Sequence, residues 1–228
     1  MEEQVQEAGQ MILIDKPIGW TSFDVVKKLK FAGKFKKIGH AGTLDPLATG
    51  LLILCTGKMT KQIDSYQAQV KEYTGHFVIG KTTPSVDLET EFDAQFETNL
   101  IDKNQLIEAK NKLTGVITQT PPIYSAIKID GKRAYKSARQ GIAVEIKTRE
   151  VEVSTFEIDD SDFPSISFRI VCSKGTYIRS MVRDFGQLLD NGAYLASLRR
   201  TKIGDFDVKN AMTIDQFVST VSVNKNQD

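Results

Sequence analysis

The sequence has little of what a disulfide framework or a zinc centre requires. Its 228 residues include only two cysteines and two histidines, and no CxxC pair occurs. Cys55 and Cys172 both lie inside apolar runs, which is typical of small buried side chains in a reducing compartment. The composition therefore argues against a disulfide-stapled fold, and no metal site is expected.

Long apolar runs and an apolar leader are missing as well. No run approaches the roughly 18 to 20 residues that a membrane-spanning helix needs. The opening residues "MEEQVQEAGQ" are polar and acidic, unlike a secretory signal. We therefore expect a cytoplasmic protein that does not use a membrane. A hydrophobic content of 40% allows a chain of this length to bury a stable core without disulfide bonds or a structural metal.

A large net charge is the third absence, since 30 basic residues face 29 acidic ones. The charges are nevertheless segregated along the chain. No acid occurs between Asp24 and Asp45, where six lysines fall, and the acids concentrate at 87–97 and 150–162. Basic residues of this segment and of a second basic cluster at 128–139 are candidates for RNA contact. They are Lys34, Lys36, Lys37, Lys128, Lys132, Arg133 and Arg139. Two interpretations remain open, a polyanion-binding face or solvated helix faces.

The pattern of apolar residues predicts strands mixed with a few helices. Thr21 and Asp24 form a capping-box pattern at the start of a helix that Gly33 ends, and Asp102 with Gln105 predicts a second capped helix. The third and strongest helix pattern is "YIRSMVRDFGQLLD", with apolar residues at helical spacing as far as Leu188 and Leu189. Strands are predicted for "MILI", "LLILC", "EYTGHFVIG", "EVEVSTFEI" and "SISFRIVC".

The order of these elements lacks the regular alternation of a parallel doubly wound sheet, so we predict an α+β fold. The segment "KTTPSVDLETEFDAQFETN" is expected to form an exposed loop or hairpin. No repeat or linker divides the chain. We expect one domain at 11–218, between a flexible tail at 1–10 and a second tail at 219–228.

The stretch "GHAGTLDPLATGLL" places Asp45 before a proline, and taken alone it allows two interpretations. Asp-Pro pairs are common in turns, because the aspartate caps backbone N–H groups and the proline fixes its own φ. The second interpretation is a reactive carboxylate. Gly39 and Gly42 allow close approach of the backbone to a ligand, and Pro46 restricts Asp45 to extended geometry.

The same stretch resembles the signature of the TruB-type tRNA pseudouridine synthases. Further segments resemble other motifs of that family in the same order: "DKPIGWTS", "KEYTG", "PPIYSAIKIDGKRAYKSARQG", "CSKGTYIRSMVRDFG" and "YLASLRRTKIG". The resemblance extends over roughly Met11 to Phe217. It implies the pseudouridine synthase catalytic fold, with a mixed, largely antiparallel sheet flanked by helices and loops, and it implies no cofactor.

Residue by residue, the resemblance implies that Asp45 is the catalytic carboxylate. Tyr73 would lie against the flipped base, and Arg179 would pair with Asp45. An opposite charge keeps a partly buried carboxylate ionised, which suits that pairing. The side chains that would line the uridine pocket are His40, Tyr177 and Leu198.

The substrate that the resemblance implies is the uridine at position 55 in the T-loop of tRNA. We expect no C-terminal PUA domain of the kind that many family members carry. We expect a monomer that needs no protein partner. Two alternatives remain, a synthase that acts on another RNA and a non-catalytic tRNA-binding protein that remodels tRNA.

Overall fold

The computed structural model describes residues 8–124, 128–129, 132–133 and 147–224. The chain divides into two compact units. The first comprises Met1–Thr74 and Leu198–Asp228, and the second comprises Gly75–Ser197. Strands β4 (Lys71–Ile79) and β12 (Ala193–Ile203) contribute residues to both units. No described helix is long and apolar enough to cross a bilayer.

The first unit is built around one deeply buried strand. That strand is β3 (Ala48–Thr56). The other elements are β1 (Met11–Lys16), α1 (Ser22–Ala32), β2 (Ile38–His40), α2 (Ile63–Ala68), β13 (Phe206–Asp207) and α5 (Ile214–Asn224). Strand β3 lies between β1, which is antiparallel to it, and β12, which is parallel to it. Strand β2 also pairs with β3, and β13 pairs with β12.

Strand β3 is apolar along nearly its whole length because both of its faces are covered. Leu52 and Leu54 point into a cluster that includes residues of α1 and α5. Leu51 and Ile53 point to the opposite side, into a cluster with Ala41. Since successive side chains of a strand alternate between its faces, two cores require a continuous apolar run rather than an alternating one.

The second unit packs helices against an antiparallel array. Its elements are β5 (Lys81–Thr82), β6 (Ala94–Gln95), α3 (Lys103–Lys112), β7 (Gly115–Gln119), β8 (Lys128–Ile129), β9 (Lys132–Arg133), β10 (Arg149–Asp162), β11 (Ser165–Cys172) and α4 (Ile178–Leu188). Strand β10 pairs with β11 on one side and with β7 on the other, both antiparallel. The rings of Phe77 and Phe156 both contact Phe185 of α4, with centroids 4.9 and 6.0 Å from its ring.

The structure confirms the predicted α+β class and the predicted elements. Both capping boxes are present, from Thr21 to Asp24 and from Asp102 to Gln105. The even-numbered apolar residues of β11 are buried as the alternation predicted. Leu188, the last residue of α4, is 40% exposed.

The segment after β4 differs in part from the expectation of an exposed loop. Strands β5 and β6 do pair as a hairpin. Thr83, Ser85, Val86 and Asp87, however, are buried. The polar side chains among them have internal partners, since the Thr83 and Ser85 hydroxyls both donate to the carbonyl of Asp87. Buried hydroxyls with such partners escape the cost of lost hydration, so a polar sequence can lie inside.

Candidate active site

Asp45 lies in the loop 41–47, which connects β2 to β3. Its carbonyl accepts a hydrogen bond of 3.1 Å from the backbone N–H of Ala48, so the residue does form a turn. Its side chain is half-buried. The turn interpretation and the reactive interpretation are therefore compatible, because the turn uses the backbone of Asp45 and the reaction would use its carboxylate.

Three buried polar side chains hold the backbone of this loop. The hydroxyl of Ser22 accepts from the N–H of Leu44 at 2.9 Å and donates to its carbonyl at 3.2 Å. Lys16 Nζ donates to the carbonyl of Pro46 at 3.3 Å, and Arg200 Nη2 donates to the carbonyl of Gly42 at 3.2 Å. The backbone of the loop is thus held at Gly42 and Leu44, before Asp45, and at Pro46, directly after it.

Lys16 is fully buried at the end of β1. Its ammonium group also donates to the carbonyls of Pro17 at 3.0 Å and Trp20 at 2.6 Å. Burial lowers the pKa of Lys16 to about 8; the charge of Asp45 opposes this shift and the charge of Arg200 adds to it. Lys16 and Asp45 therefore attract each other, and the candidate catalytic carboxylate has a buried cation within electrostatic range.

Arg200 supplies a second buried cation, with 1% of its surface exposed. Its Nε donates to the carbonyl of Leu51 at 2.8 Å, in addition to the bond to Gly42. Gly50 lies opposite Arg200 in the register of β3 and β12, at φ +103°. A Cβ at Gly50 would lie 2.3 Å from the carbonyl oxygen of Arg200, so the two strands can approach this closely only with glycine there.

His40 ends β2 immediately before the loop. Burial lowers the pKa of His40, against the opposing effect of a backbone hydrogen bond with Gly42. The ring is therefore neutral at neutral pH. Within the described part of the chain, its buried Nδ1 has no hydrogen-bond partner. A neutral imidazole with an unsatisfied nitrogen is suited to receive a polar group of a ligand.

The first unit also contains Leu198, on the strand next to β3, and Tyr73, one strand further along the sheet. Leu198 is paired with Ala48, three residues after Asp45, and its carbonyl accepts from the Thr49 hydroxyl at 3.4 Å. Tyr73 is buried on β4, the strand next to β12. Its neighbour Glu72 accepts through its carboxylate from Thr201 of β12 at 2.7 Å.

Arg179 is buried in the first turn of α4, in the second unit. Its Nη1 and Nη2 donate to the carbonyls of Ser85 at 3.0 Å and Tyr124 at 2.8 Å. Its Nε lies 3.6 Å from Oδ2 of Asp87, which is also buried. These partners explain how a cation is tolerated near a helix N-terminus, where the dipole disfavours it. The pairing of Arg179 with Asp45 remains a prediction.

Tyr177 precedes α4 and is positioned through its backbone. The side-chain amide of Gln119, which is fully buried, accepts from the N–H of Tyr177 at 2.7 Å and donates to its carbonyl at 3.1 Å. The guanidinium of Arg149 lies 5.0 Å from the centroid of the tyrosine ring. Tyr177 is half-buried, with its backbone held by Gln119 and its ring beside the cation of Arg149.

The structure describes most, but not all, of the candidate RNA-contacting residues. Lys34, Lys36 and Lys37 are exposed between α1 and β2. The later basic residues include Lys128, which pairs with Arg133 across β8 and β9, and Lys132, which pairs with Ile129. Arg139 lies outside the described residues. Among the residues that the structure describes, no group of three or more His, Cys, Asp or Glu side chains is arranged to hold a metal ion.

Four supporting residues were missed by sequence reasoning, namely Lys16, Ser22, Asp87 and Arg200. A lysine at the end of an apolar strand was a usable signal, because Lys is rarely fully buried unless it has partners. Arg200 follows an equally basic residue, and nothing local distinguishes the two. Asp87 lies in a segment that was expected to be exposed, and nothing in its neighbours indicates burial.

Comparison with family models finds two matches that together extend from residue 28 to the C-terminus. Residues 28–178 match the TruB family pseudouridylate synthase N-terminal domain. Residues 179–228 match the tRNA pseudouridylate synthase B C-terminal domain. The first match alone includes Asp45, Tyr73 and His40.

Curated relatives named tRNA pseudouridine synthase B align over most of the chain. The protein of Flavobacterium johnsoniae is 55% identical over 216 residues, which cover 92% of this chain and 94% of the relative. That of Phocaeicola vulgatus is 46% identical over 215 residues and 92% of each chain. That of Chloroherpeton thalassium is 47% identical, over 93% of this chain and 90% of the relative.

Solved structures share the fold at lower identity. A chain of a Cbf5–Nop10–Gar1 complex matches with a TM-score of 0.77 and 26% identity, over 100% of this chain. A chain of an H/ACA RNP bound to a substrate RNA containing 2′-deoxyuridine matches with a TM-score of 0.73 and 25% identity. The present chain spans 58% and 57% of the lengths of those two chains.

Proposed function

The chain belongs to the TruB family and isomerises uridine to pseudouridine in tRNA, and we propose that its target is the T-loop uridine at position 55 and that Asp45 is the catalytic carboxylate. The observation that carries the assignment of Asp45 is the loop 41–47. Three buried side chains hold its backbone on both sides of the half-buried Asp45. A reactive group needs this kind of support, because loose positioning forfeits much of the rate gain from proximity.

The reaction is balanced without any external reactant. The N1–C1′ bond breaks and a C5–C1′ bond forms, while C5 loses a proton and N1 gains one. A carboxylate can assist by attacking the ribose or by adding to the base. Both routes require an ionised Asp45, and the buried cation of Lys16 attracts that negative charge.

The target base must leave its stack to reach Asp45, at a cost of a few kcal/mol that contacts in the pocket offset. We propose that His40, Tyr73, Tyr177 and Leu198 form the walls of that pocket. The unsatisfied Nδ1 of His40 supports a hydrogen bond to the uracil. The burial of Tyr73 and Leu198 supports packing against its ring.

We further propose that Arg179 pairs with Asp45 in the catalytic state. The contacts of its guanidinium support this role, because Asp87 and two carbonyls hold the group in one orientation. A planar cation that is fixed in this way can orient a carboxylate without losing rotamer freedom during the reaction.

The test of this proposal uses the purified protein and an unmodified tRNA transcript. We expect pseudouridine at position 55 with the wild type and none with Asp45→Asn, because the amide cannot act as a nucleophile. Matched affinity of the two proteins for the transcript serves as the folding and binding control. A transcript with cytidine at position 55 should yield no product.

Three results would contradict the proposal. An unchanged T-loop uridine beside tight binding would indicate a tRNA-binding protein without catalysis. Modification of another RNA alone would indicate a different substrate. Full activity of Asp45→Asn would remove Asp45 from the chemistry.

A further inference from the structure

The first unit carries a groove between α1 and the C-terminal helix α5. Its volume is about 1190 Å³, and its walls combine basic and aromatic side chains. The lysines that line it are Lys27, Lys28, Lys30 and Lys34, and the aromatic rings are those of Trp20, Phe31 and Phe35. None of these residues has a role in the proposed chemistry.

The groove has a strong positive charge. All four lysines are exposed, and within the described residues none of them forms a salt bridge. The acid that lines the groove, Asp24, is already used in the helix cap, where its carboxylate accepts from the N–H and the hydroxyl of Thr21. An occupant that complements this surface must therefore be anionic.

The aromatic walls are of two kinds. Trp20 and Phe35 pack against the apolar cluster beneath α1, and the Phe35 ring lies 6.3 Å from that of Phe217, so their positions are fixed. Phe31 is 86% exposed. An exposed ring among lysines offers a flat apolar surface beside several cations, which matches a nucleobase attached to its phosphates.

We infer that this groove binds an RNA segment of the tRNA substrate outside the T-loop, with Lys27 and Lys30 on phosphates and Phe31 stacked on an unpaired base. Lys27 and Lys30 lie three residues apart on α1 and therefore share one helix face. This inference rests on the proposed function, because that function brings tRNA to the protein.

The course of the chain favours RNA over an acidic peptide as the occupant. After Lys34, whose backbone turns with φ 51°, the exposed basic residues continue through Lys36 and Lys37 to the start of β2. The groove also adjoins the loop that carries Asp45, because the N–H of Gly19, which lines the groove, donates to the carbonyl of Pro46 at 2.9 Å. One polyanion at the candidate catalytic loop can therefore extend into the groove, whereas a separate acidic peptide would not require this continuity.

The experiment compares two substrates, the full tRNA transcript and a hairpin that contains only the T-stem and T-loop. Phe31→Ala should weaken binding of full tRNA by at least about fivefold, as expected for loss of one stacked base. Its effect should appear in KM and not in kcat. Binding of the hairpin should not change. The matched control is Phe23→Ala, which removes a 70% exposed ring that does not line the groove.

The lysines are tested through salt dependence. Lys27→Ala/Lys30→Ala should reduce the slope of log affinity against log salt by about 0.7 to 0.9 per lysine for full tRNA. Lys58→Ala/Lys61→Ala removes the same charge from exposed positions elsewhere in the unit and should leave the slope unchanged.

Two outcomes overturn the inference. One is unchanged affinity for full tRNA in the groove variants, which would leave the groove to another partner such as an acidic peptide. The other is an equal loss of affinity for the hairpin. A wild type that forms no pseudouridine but shows groove-dependent tRNA binding would overturn the proposed function and would support the groove.

Discussion

In the first unit, buried side chains hold the backbone of the loop that carries Asp45. In the second unit, two backbone carbonyls and one carboxylate hold the side chain of Arg179. The first arrangement fixes the backbone that carries Asp45. The second fixes the charged group of Arg179 itself. The difference suits the roles proposed for these two residues.

This contrast predicts that the supports of the two units fail in different ways. Loss of a support in the first unit should uncover buried carbonyls and lower stability. Loss of a support in the second unit should leave the fold nearly intact and misplace one guanidinium. Three substitutions separate these outcomes.

The largest effect on stability is expected for Arg200→Met. The change leaves the buried carbonyls of Gly42 and Leu51 without these donors, at about 2 to 4 kcal/mol of unfolding free energy. Urea denaturation measures this loss. Arg199→Met is the matched control. The Arg199 side chain neighbours Arg200 in sequence, is 40% exposed and pairs with Asp15 at the surface. This substitution should cost no more than about 1 kcal/mol. Equal losses would show that Arg200 is no special support.

The second effect concerns pH and Lys16. Since folding lowers the pKa of Lys16 from 10.5 to about 8, the unfolded chain binds more protons between those values. The free energy of unfolding should therefore rise with pH across this window, relative to a chain without this group, by up to about 3 kcal/mol. Below pH 8 the full cost of burying the charged lysine is present.

The measurement is the unfolding free energy of the wild type minus that of Lys16→Met, from pH 7 to 10. Other groups that titrate in this range cancel in the difference. A flat difference would mean that Lys16 keeps its ordinary pKa in the fold, so that its carbonyl partners and the charge of Asp45 offset the whole effect of burial.

The smallest effect on stability is expected for Asp87→Asn. The amide keeps the shape of the carboxylate but removes the charge 3.6 Å from Arg179 Nε, which should cost about 1 to 2 kcal/mol. Activity should fall about tenfold, mainly in kcat, because the guanidinium is no longer held in one orientation. Asp184→Asn, which alters an acid paired with Arg183 on the same helix, should leave kcat unchanged. A loss confined to KM would argue against positioning by Asp87.

Local features of the fold were predictable because they depend on neighbours in the chain. The capping box of Thr21 and Asp24 uses residues three positions apart, and the alternation in β11 uses residues two positions apart. The turn at Asp45 was equally visible, since Asp-Pro constrains the backbone within two residues. Family resemblance then predicted a role for Asp45 that local chemistry alone left open.

The supports of the site were not predictable in this way. Arg200 and Gly42 are 158 residues apart, and they meet because β12 lies parallel to β3. Arg199 and Arg200 are adjacent in sequence, yet one is at the surface and the other is buried, because successive side chains of a strand point to opposite faces. Asp87 is buried in a polar segment whose hydroxyls find internal acceptors.

By itself, the sequence determined the secondary elements, the α+β class, the position of Asp45 in a turn and the family to which the chain belongs. Only the tertiary structure decided which polar residues are buried and which atoms they hold. Periodicity and capping act over a few residues and leave a signal in any short window. Burial of Lys16 and Arg200 depends also on distant segments, because the carbonyls of Pro46, Leu51 and Gly42 that accept from them lie far away in the sequence.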